Sequence, residues 1–227
     1  KLSISEIKSY IGDEKVDVII GGPPCQGFSN MGNKNSADPR NMLFESYVKD
    51  YEKRICEEFK KHKEADVLLF NVEVCDERRT YFNADFHRVR WYNCGRYPAY
   101  AIAIRTEKLH NANVTFSLLF GGGAKYSNGE DSLFLKDCLK AGLKMYATDV
   151  LIGKETPGDS TWFFGYNKKF FYDRGVLYHY LYGKMAKVWG LRFLLKNKDT
   201  MCKEIPFATA YKYLKDGIYF AKNGKER

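Results

Sequence analysis

Long apolar runs are missing from this chain. No stretch approaches the ~20 consecutive apolar residues that a spanning helix needs, and no signal peptide opens it, so a cytoplasmic protein is expected. Cysteine is scarce and scattered. The six, at 25, 56, 75, 94, 138 and 202, contain no CxxC pair, which argues against a metal cluster and for a reducing compartment. No two aspartates stand in Asp-x-Asp spacing, and the glycine triplet at 121–123 lacks the Lys-Ser/Thr that would make it a phosphate loop. There is no low-complexity segment and no internal repeat. The chain opens on Lys1 rather than Met, as a fragment or a processed chain would.

What is present suffices for one or two cored domains: 227 residues, of which 44% are hydrophobic and 16% aromatic. The net charge of +9 is unevenly placed. Residues 1–48 hold five Lys/Arg against six Asp/Glu, a net of −1, so the remainder carries +10. Such a balance suits nucleic acid or an anionic membrane surface as a partner. The stretch that organises the rest runs from Asp17 to Ser29. An apolar strand, Val16 to Gly21, stops at two glycines and two prolines, and Cys25 follows at once. The prolines stiffen the backbone ahead of a thiol held at the carboxyl end of a strand, where open α/β sheets carry their chemistry.

Taken in order, Ser3 to Glu6 has capping-box spacing and opens a short helix. The near-continuous apolar character of strand 16–21 suits a parallel strand covered on both faces. A Gly- and Asn-rich loop follows to Pro39. A helix from Asn41 has an apolar stripe at Leu43, Phe44, Tyr47, Val48, Tyr51, Ile55 and Phe59, and a second strand spans Asp66 to Val74, completing a βαβ unit. Beyond it the patterns predict a strand at Tyr100–Ile104, a short helix capped by Thr106, and a helix from Glu130 to Leu139 with Leu133, Phe134, Cys138 and Leu139 inward and Gly142 at its end. A strand at Lys144–Val150 and helices near 167–182, 184–197 and 206–221 complete the reading. The expected fold is α/β, a three-layer, mostly parallel sheet with helices on both faces and a helical C-terminal region. Cys56, Cys138 and Cys202 read as small hydrophobes, and His87, His110 and His179 as surface or packing residues.

The stretch from Asp17 to Ser29, with Asn35 to Phe44 after it, resembles the catalytic-cysteine segment of DNA cytosine-5 methyltransferases over residues 1–48. That resemblance implies S-adenosylmethionine as methyl donor and DNA as partner. Cys25 would attack carbon 6 of a flipped cytosine. Pro24, Gln26 and Ser29 would belong to the substrate loop, and Arg40 would contact phosphate. The family's Gly-rich donor loop does not stand ahead of the Cys25 strand, and its Glu-Asn-Val triplet is absent.

Phe116 to Asp131, Ser160 to Phe163 and Phe170 to Gly175 resemble the acceptor side of bacterial family 2 (GT-A type) glycosyltransferases, over about residues 51–220. This implies Asp131 as general base, Glu130 as the neighbour that orients the acceptor, and Trp162 as a sugar platform. A nucleotide sugar, a divalent metal and a glycan acceptor would be its ligands, although the metal-holding Asp-x-Asp is missing. The basic, aromatic segment 168–198 reads as a solvated helix face or as a helix lying on an anionic membrane, peripheral at the inner face. Together the two resemblances imply a chimera joined near Val48 to Tyr51. Residues 1–48 form the methyltransferase-like segment, 49–166 the glycosyltransferase-like acceptor half and 167–227 a basic helical region.

Overall fold

The computed structural model describes residues 18–20, 52–74, 79–121, 123–154 and 165–224. They fall into two compact units, one drawn from residues 1–114 and 138–156, the other from 115–137 and 157–227.

The first unit is built on a mixed sheet. Its strands are β1 (Val18–Ile20), β2 (Val67–Glu73), β3 (His87–Arg88), β4 (Ile102–Arg105) and β5 (Met145–Lys154), in the order β1-β4-β2-β5-β3. Only β2 and β5 pair in parallel; β1 with β4, β2 with β4 and β3 with β5 are antiparallel. The expected mostly parallel, three-layer sheet is therefore corrected. β1 and β2 do run in the same direction, but β4 is inserted between them with opposite sense. A strand pattern fixes which residues are buried, not the direction of the neighbour, so an all-apolar strand does not by itself specify a parallel partner. Tyr100 and Ala101 belong to a 3-10 turn (Ala99–Ala101), so β4 begins two residues later than expected.

Helix α1, described over 52–61, precedes β2. It buries Ile55 and Phe59 against Ala65, Leu68, Phe70, Ala103 and Ile152. The earlier half of the predicted stripe lies outside the described residues. The helix ends on Arg105, whose guanidinium donates to the carbonyls of Phe59 and Ala65, both at 2.9 Å, and lies 4.7 Å from the Phe59 ring. The bond to Phe59 satisfies a carbonyl that the helix C-terminus leaves open, and the bond to Ala65 ties down the turn that leads into β2. Helix α2 (Thr106–Ala112) follows β4 directly. Its N-cap is Arg105, and no side chain caps it; Thr106 is the first helical residue, which corrects the expected threonine cap. Helix α3 (Glu130–Lys140) starts at the expected residue, runs one residue longer than expected, and buries Leu133, Phe134, Leu135 and Cys138. Leu135, not Leu139, completes its inner face. Gly142 stands just past its end at φ +85°, where a left-handed residue lets the chain turn back.

The second unit is helical. It contains α4 (Lys168–Tyr182), a 3-10 turn (Gly183–Met185), α5 (Ala186–Met201) and α6 (Phe207–Asn223). Phe171, Val176, Leu177, Leu181, Leu194, Leu214 and Ile218 form its core. Asn167 caps α4 by accepting the Phe170 N–H at 3.0 Å. The crossing of α4 and α6 is set by two glycines. A Cβ at Gly175 would lie 2.0 Å from the Leu214 carbonyl oxygen, and one at Gly217 would lie 2.1 Å from that of Tyr172. Backbone meets backbone there, and no side chain fits between.

Gly→Ala in an exposed helix interior stabilises by about 1 kcal/mol. At residues 175 and 217 the sign reverses. Gly175→Ala and Gly217→Ala each destabilise by about 2–3 kcal/mol through forced helix separation. Because both act on one crossing, the double variant costs less than the sum. Chemical denaturation of the three variants checks this.

Candidate functional site

Cys25 and the substrate-loop residues Pro24, Gln26, Ser29 and Arg40 lie outside the described residues, as does Trp162. The strand that leads to Cys25 is described: β1 pairs Val18 with Arg105, Ile19 with Ile104 and Ile20 with Ala103. Ile20, the last described residue of this strand, therefore stands beside the start of β4.

Glu130 and Asp131 occupy the first turn of α3, both half-buried. Acidic residues are stabilised there by the helix dipole and the open N–H groups. The turn ahead of them is shaped by Gly121 (φ +121°), Gly123 (φ +79°) and Gly129 (φ +112°). A Cβ at Gly121 would stand 3.1 Å from the Glu130 carboxylate, and one at Gly129 would stand 2.5 Å from Leu177. The backbone thus passes close to the Glu130 side chain, in a conformation that other residues rarely adopt. Two bonds close the turn: Gly121 N–H to the Tyr126 carbonyl at 2.9 Å, and Tyr126 N–H to the Leu119 carbonyl at 3.0 Å.

Asp173 on α4 fixes this loop. Its carboxylate is only 3% exposed. It accepts from the Ser127 N–H at 3.0 Å, from the Ser127 hydroxyl at 2.8 Å and from the Lys169 ammonium at 2.6 Å. Lys169 also donates to the Lys125 carbonyl at 2.9 Å. A buried carboxylate needs such partners, because charge taken from water without them is costly. The sequence pattern showed Asp173 only as the one acid in a basic segment. Its signal was local: an acid four residues after a lysine on an apolar helix face. Arg174, beside it, lies 5.4 Å from the Phe170 ring and 5.2 Å from the Phe193 ring. Lys169 and Arg174 are thus engaged within the unit.

In the first unit a second polar cluster went unread. Asn71 and Asn83 are both buried. Asn83 N–H donates to the Asn71 side-chain oxygen at 3.0 Å, and Asn71 Nδ2 donates to the Asn83 and Asp149 carbonyls at 2.9 and 3.1 Å. Asn83 Nδ2 reaches the Leu69 and Thr148 carbonyls at 3.1 and 3.2 Å, and the Tyr97 hydroxyl donates to Asn83 Oδ1 at 3.0 Å. The parallel register of β2 and β5 breaks around Asn71, which frees these carbonyls from the ladder. Burial pushes the Tyr97 and Tyr81 hydroxyls above their ordinary range. The cluster is satisfied bond for bond, and its chemistry is structural. The visible clue was one Asn inside the apolar run of β2.

Glu58, also buried, accepts from the Thr148 hydroxyl at 2.9 Å and has His62 Nε2 at 3.2 Å. The His62 ring stacks on Phe86 at 3.6 Å. Among the described residues no three His, Cys, Asp or Glu side chains gather as a metal site, so the divalent metal of a glycosyltransferase has no ligand set there. Cys138 is fully buried, whereas Cys56 and Cys202 are half-buried rather than core hydrophobes; burial still raises the Cys202 thiol above its usual range. No helix among the described residues is long and apolar enough to cross a membrane.

Comparison with known proteins bears on the first part of the chain. Residues 2–58 match the family of C-5 cytosine-specific DNA methylases. Over 48 residues the chain is 52% identical to the type II methyltransferase M.DdeI of Desulfomicrobium norvegicum, which covers 21% of this chain and 11% of that protein. Over 51 residues it is 49% identical to the type II methyltransferase M1.HphI of Haemophilus parahaemolyticus, covering 21% of this chain and 14% of that protein. A third match, 54% over 33 residues, is to the type II methyltransferase M.AgeI of Thalassovita gelatinovora, covering 14% and 8%. The chain thus spans about a tenth of the length of the curated relatives it matches. No solved structure matches it. The glycosyltransferase resemblance has no counterpart among these matches.

Asp173→Ala leaves the Ser127 N–H and the Lys169 ammonium without their acceptor and costs about 1–3 kcal/mol. The loss concentrates in the loop 121–129. Amide exchange there accelerates ahead of the α4–α6 core, and Asp173→Asn recovers part of the protection through its remaining side-chain oxygen.

Proposed function

We propose that the first fifty or so residues are a DNA cytosine-5 methyltransferase segment in which Cys25 is the nucleophile. The observation that carries this reading is the match of residues 2–58 to the C-5 cytosine methylase family, with about half of the aligned residues identical to type II methyltransferases. In this reading the Cys25 thiolate forms a bond to carbon 6 of a cytosine swung out of the duplex, and carbon 5 gains nucleophilic character. A free thiol has a pKa of about 8.5, so the site must favour the thiolate. Gln26 and Ser29 lie on the loop that closes over the base, Pro24 aims the thiol and Arg40 takes a phosphate. S-adenosylmethionine is the methyl source by family resemblance. The sequence before Val18 holds no Gly-rich loop to cradle it, so methyl transfer requires parts that residues 1–48 do not supply.

A second reading is favoured by the glycine turn that sets Glu130 and Asp131 at the start of α3. There Asp131 would take the proton of an acceptor hydroxyl while Glu130 orients the acceptor, as in the acceptor half of a family 2 glycosyltransferase. With no Asp-x-Asp and no metal ligand set among the described residues, no step through a metal follows. The two readings coexist if the chain is a chimera joined near Val48 to Tyr51, with a methyltransferase strand-loop-helix in place of a donor-binding half.

Incubated with S-adenosylmethionine, a complementing amino-terminal methyltransferase fragment and duplex DNA containing 5-fluorocytosine, the chain forms a denaturant-stable adduct. Cys25→Ser abolishes it. No adduct under those conditions removes the methyl-transfer reading. For the second reading, a sugar acceptor or nucleotide slows amide exchange around Glu130; unchanged exchange counts against it.

A further inference from the structure

Helix α5 carries two apolar faces. One packs inward through Ala186, Gly190 and Leu194, all buried. The other is open to solvent: Val188 is 56% exposed, Leu191 37% and Leu195 55%, with Met185 just ahead of the helix at 48%. At about 100° per residue, Val188, Leu191 and Leu195 fall within about 60° of one another, opposite the inward set. Lys187 and Lys198 flank this stripe on one side, Arg192 and Lys196 on the other. Asp199 is the only carboxylate on the helix. Lys187 also lines an open groove of about 690 Å³ between the start of α5 and α6, whose lining includes Lys184, Lys212, Lys215 and Lys222, with Asp216 the one acid. Exposed apolar side chains and the cations on both their flanks therefore share one face of α5, with further lysines in the groove next to Lys187.

We propose that this surface docks on an anionic lipid bilayer, with Val188, Leu191 and Leu195 set into the headgroup–acyl boundary and the lysines on lipid phosphate. The charge pattern selects this occupant. Two copies meeting through the stripe would bring Lys187, Arg192, Lys196 and Lys198 against themselves. A polyanion without an apolar phase would leave the stripe in water. An anionic lipid surface meets both at once, which is how interfacial helices bind. The inference does not depend on the methyl-transfer reading, since it uses no residue of the first fifty.

Cosedimentation of the full chain with vesicles of phosphatidylcholine, with and without phosphatidylglycerol, tests it. Binding to the anionic vesicles is expected, weakening as salt rises. The double variant Val188→Ser/Leu195→Ser lowers the partition coefficient at least about tenfold, and Lys187→Gln or Lys196→Gln lowers it about fivefold each. Both altered side chains of the double variant are solvent-exposed, so its thermal melt should match the parent and separate lost binding from lost folding. No partition into anionic vesicles, equal partition into neutral ones, or a double variant that binds like the parent overturns the proposal. So does a dimer in sedimentation velocity that the double variant dissolves while neither protein binds vesicles.

Discussion

The helical unit depends on a single carboxylate that has been taken out of water. Asp173 is 3% exposed, and the Ser127 backbone and hydroxyl and the Lys169 ammonium all converge on its carboxylate, supplying the partners that a buried polar group requires. The two Ser127 donors come from the loop that delivers the chain into α3, and Lys169 stands one turn earlier on α4 itself. The requirement to satisfy one charge therefore positions the Gly121–Gly129 turn and, with it, Glu130 and Asp131. The carboxylate in turn relies on α4 lying where it does, and the contact of glycine backbone at 175 and 217 sets the spacing of α4 from α6. Charge satisfaction and helix spacing are two constraints on one structural element.

The sheet unit solves a comparable problem without charge. Where β2 and β5 slip out of register, the side chains of Asn71 and Asn83 donate to three of their carbonyls, those of Leu69, Thr148 and Asp149. Amides suit this task because each offers two donors and an acceptor. The bulged strands can then remain buried, with Leu68, Leu69 and Phe70 fully covered. At the neighbouring helix end Arg105 does the same for α1, reaching carbonyls of Phe59 and Ala65 from β4. In each case one polar side chain closes a gap that backbone alone leaves open.

Much of this was legible in the residues. Periodicity located β2, β5 and the helices α3 to α6 to within a few residues, because apolar spacing reports burial directly. Gly142 and Asn167 were readable or nearly so, since caps act locally. Strand direction was not legible: β4 between β1 and β2 is a long-range pairing that no local pattern encodes. The paired networks of Asp173 and of Asn71 with Asn83 were missed for a similar reason, as their partners lie 46 and 12 residues away. Of the candidate sites, the Cys25 motif was recognisable by its length and its unusual Pro-Pro-Cys backbone, and comparison supports the family of that segment alone. Glu130 and Asp131 could be placed at a helix start from sequence, but the turn that carries them needed coordinates of the whole loop.

The segment that leads to Cys25 joins the sheet as a terminal strand among the described residues, three residues long and paired only with β4. That makes β1 a cover as much as a scaffold. Were it to peel away, Ile102 to Ile104 would become a naked, apolar sheet margin, with a row of unmet amide and carbonyl groups facing solvent. Such a margin accepts any extended chain that offers itself, including the same strand from another molecule. The stretch that leads to the thiol thus also covers the Ile102–Ile104 margin, and shortening the chain from its start would lay that margin bare.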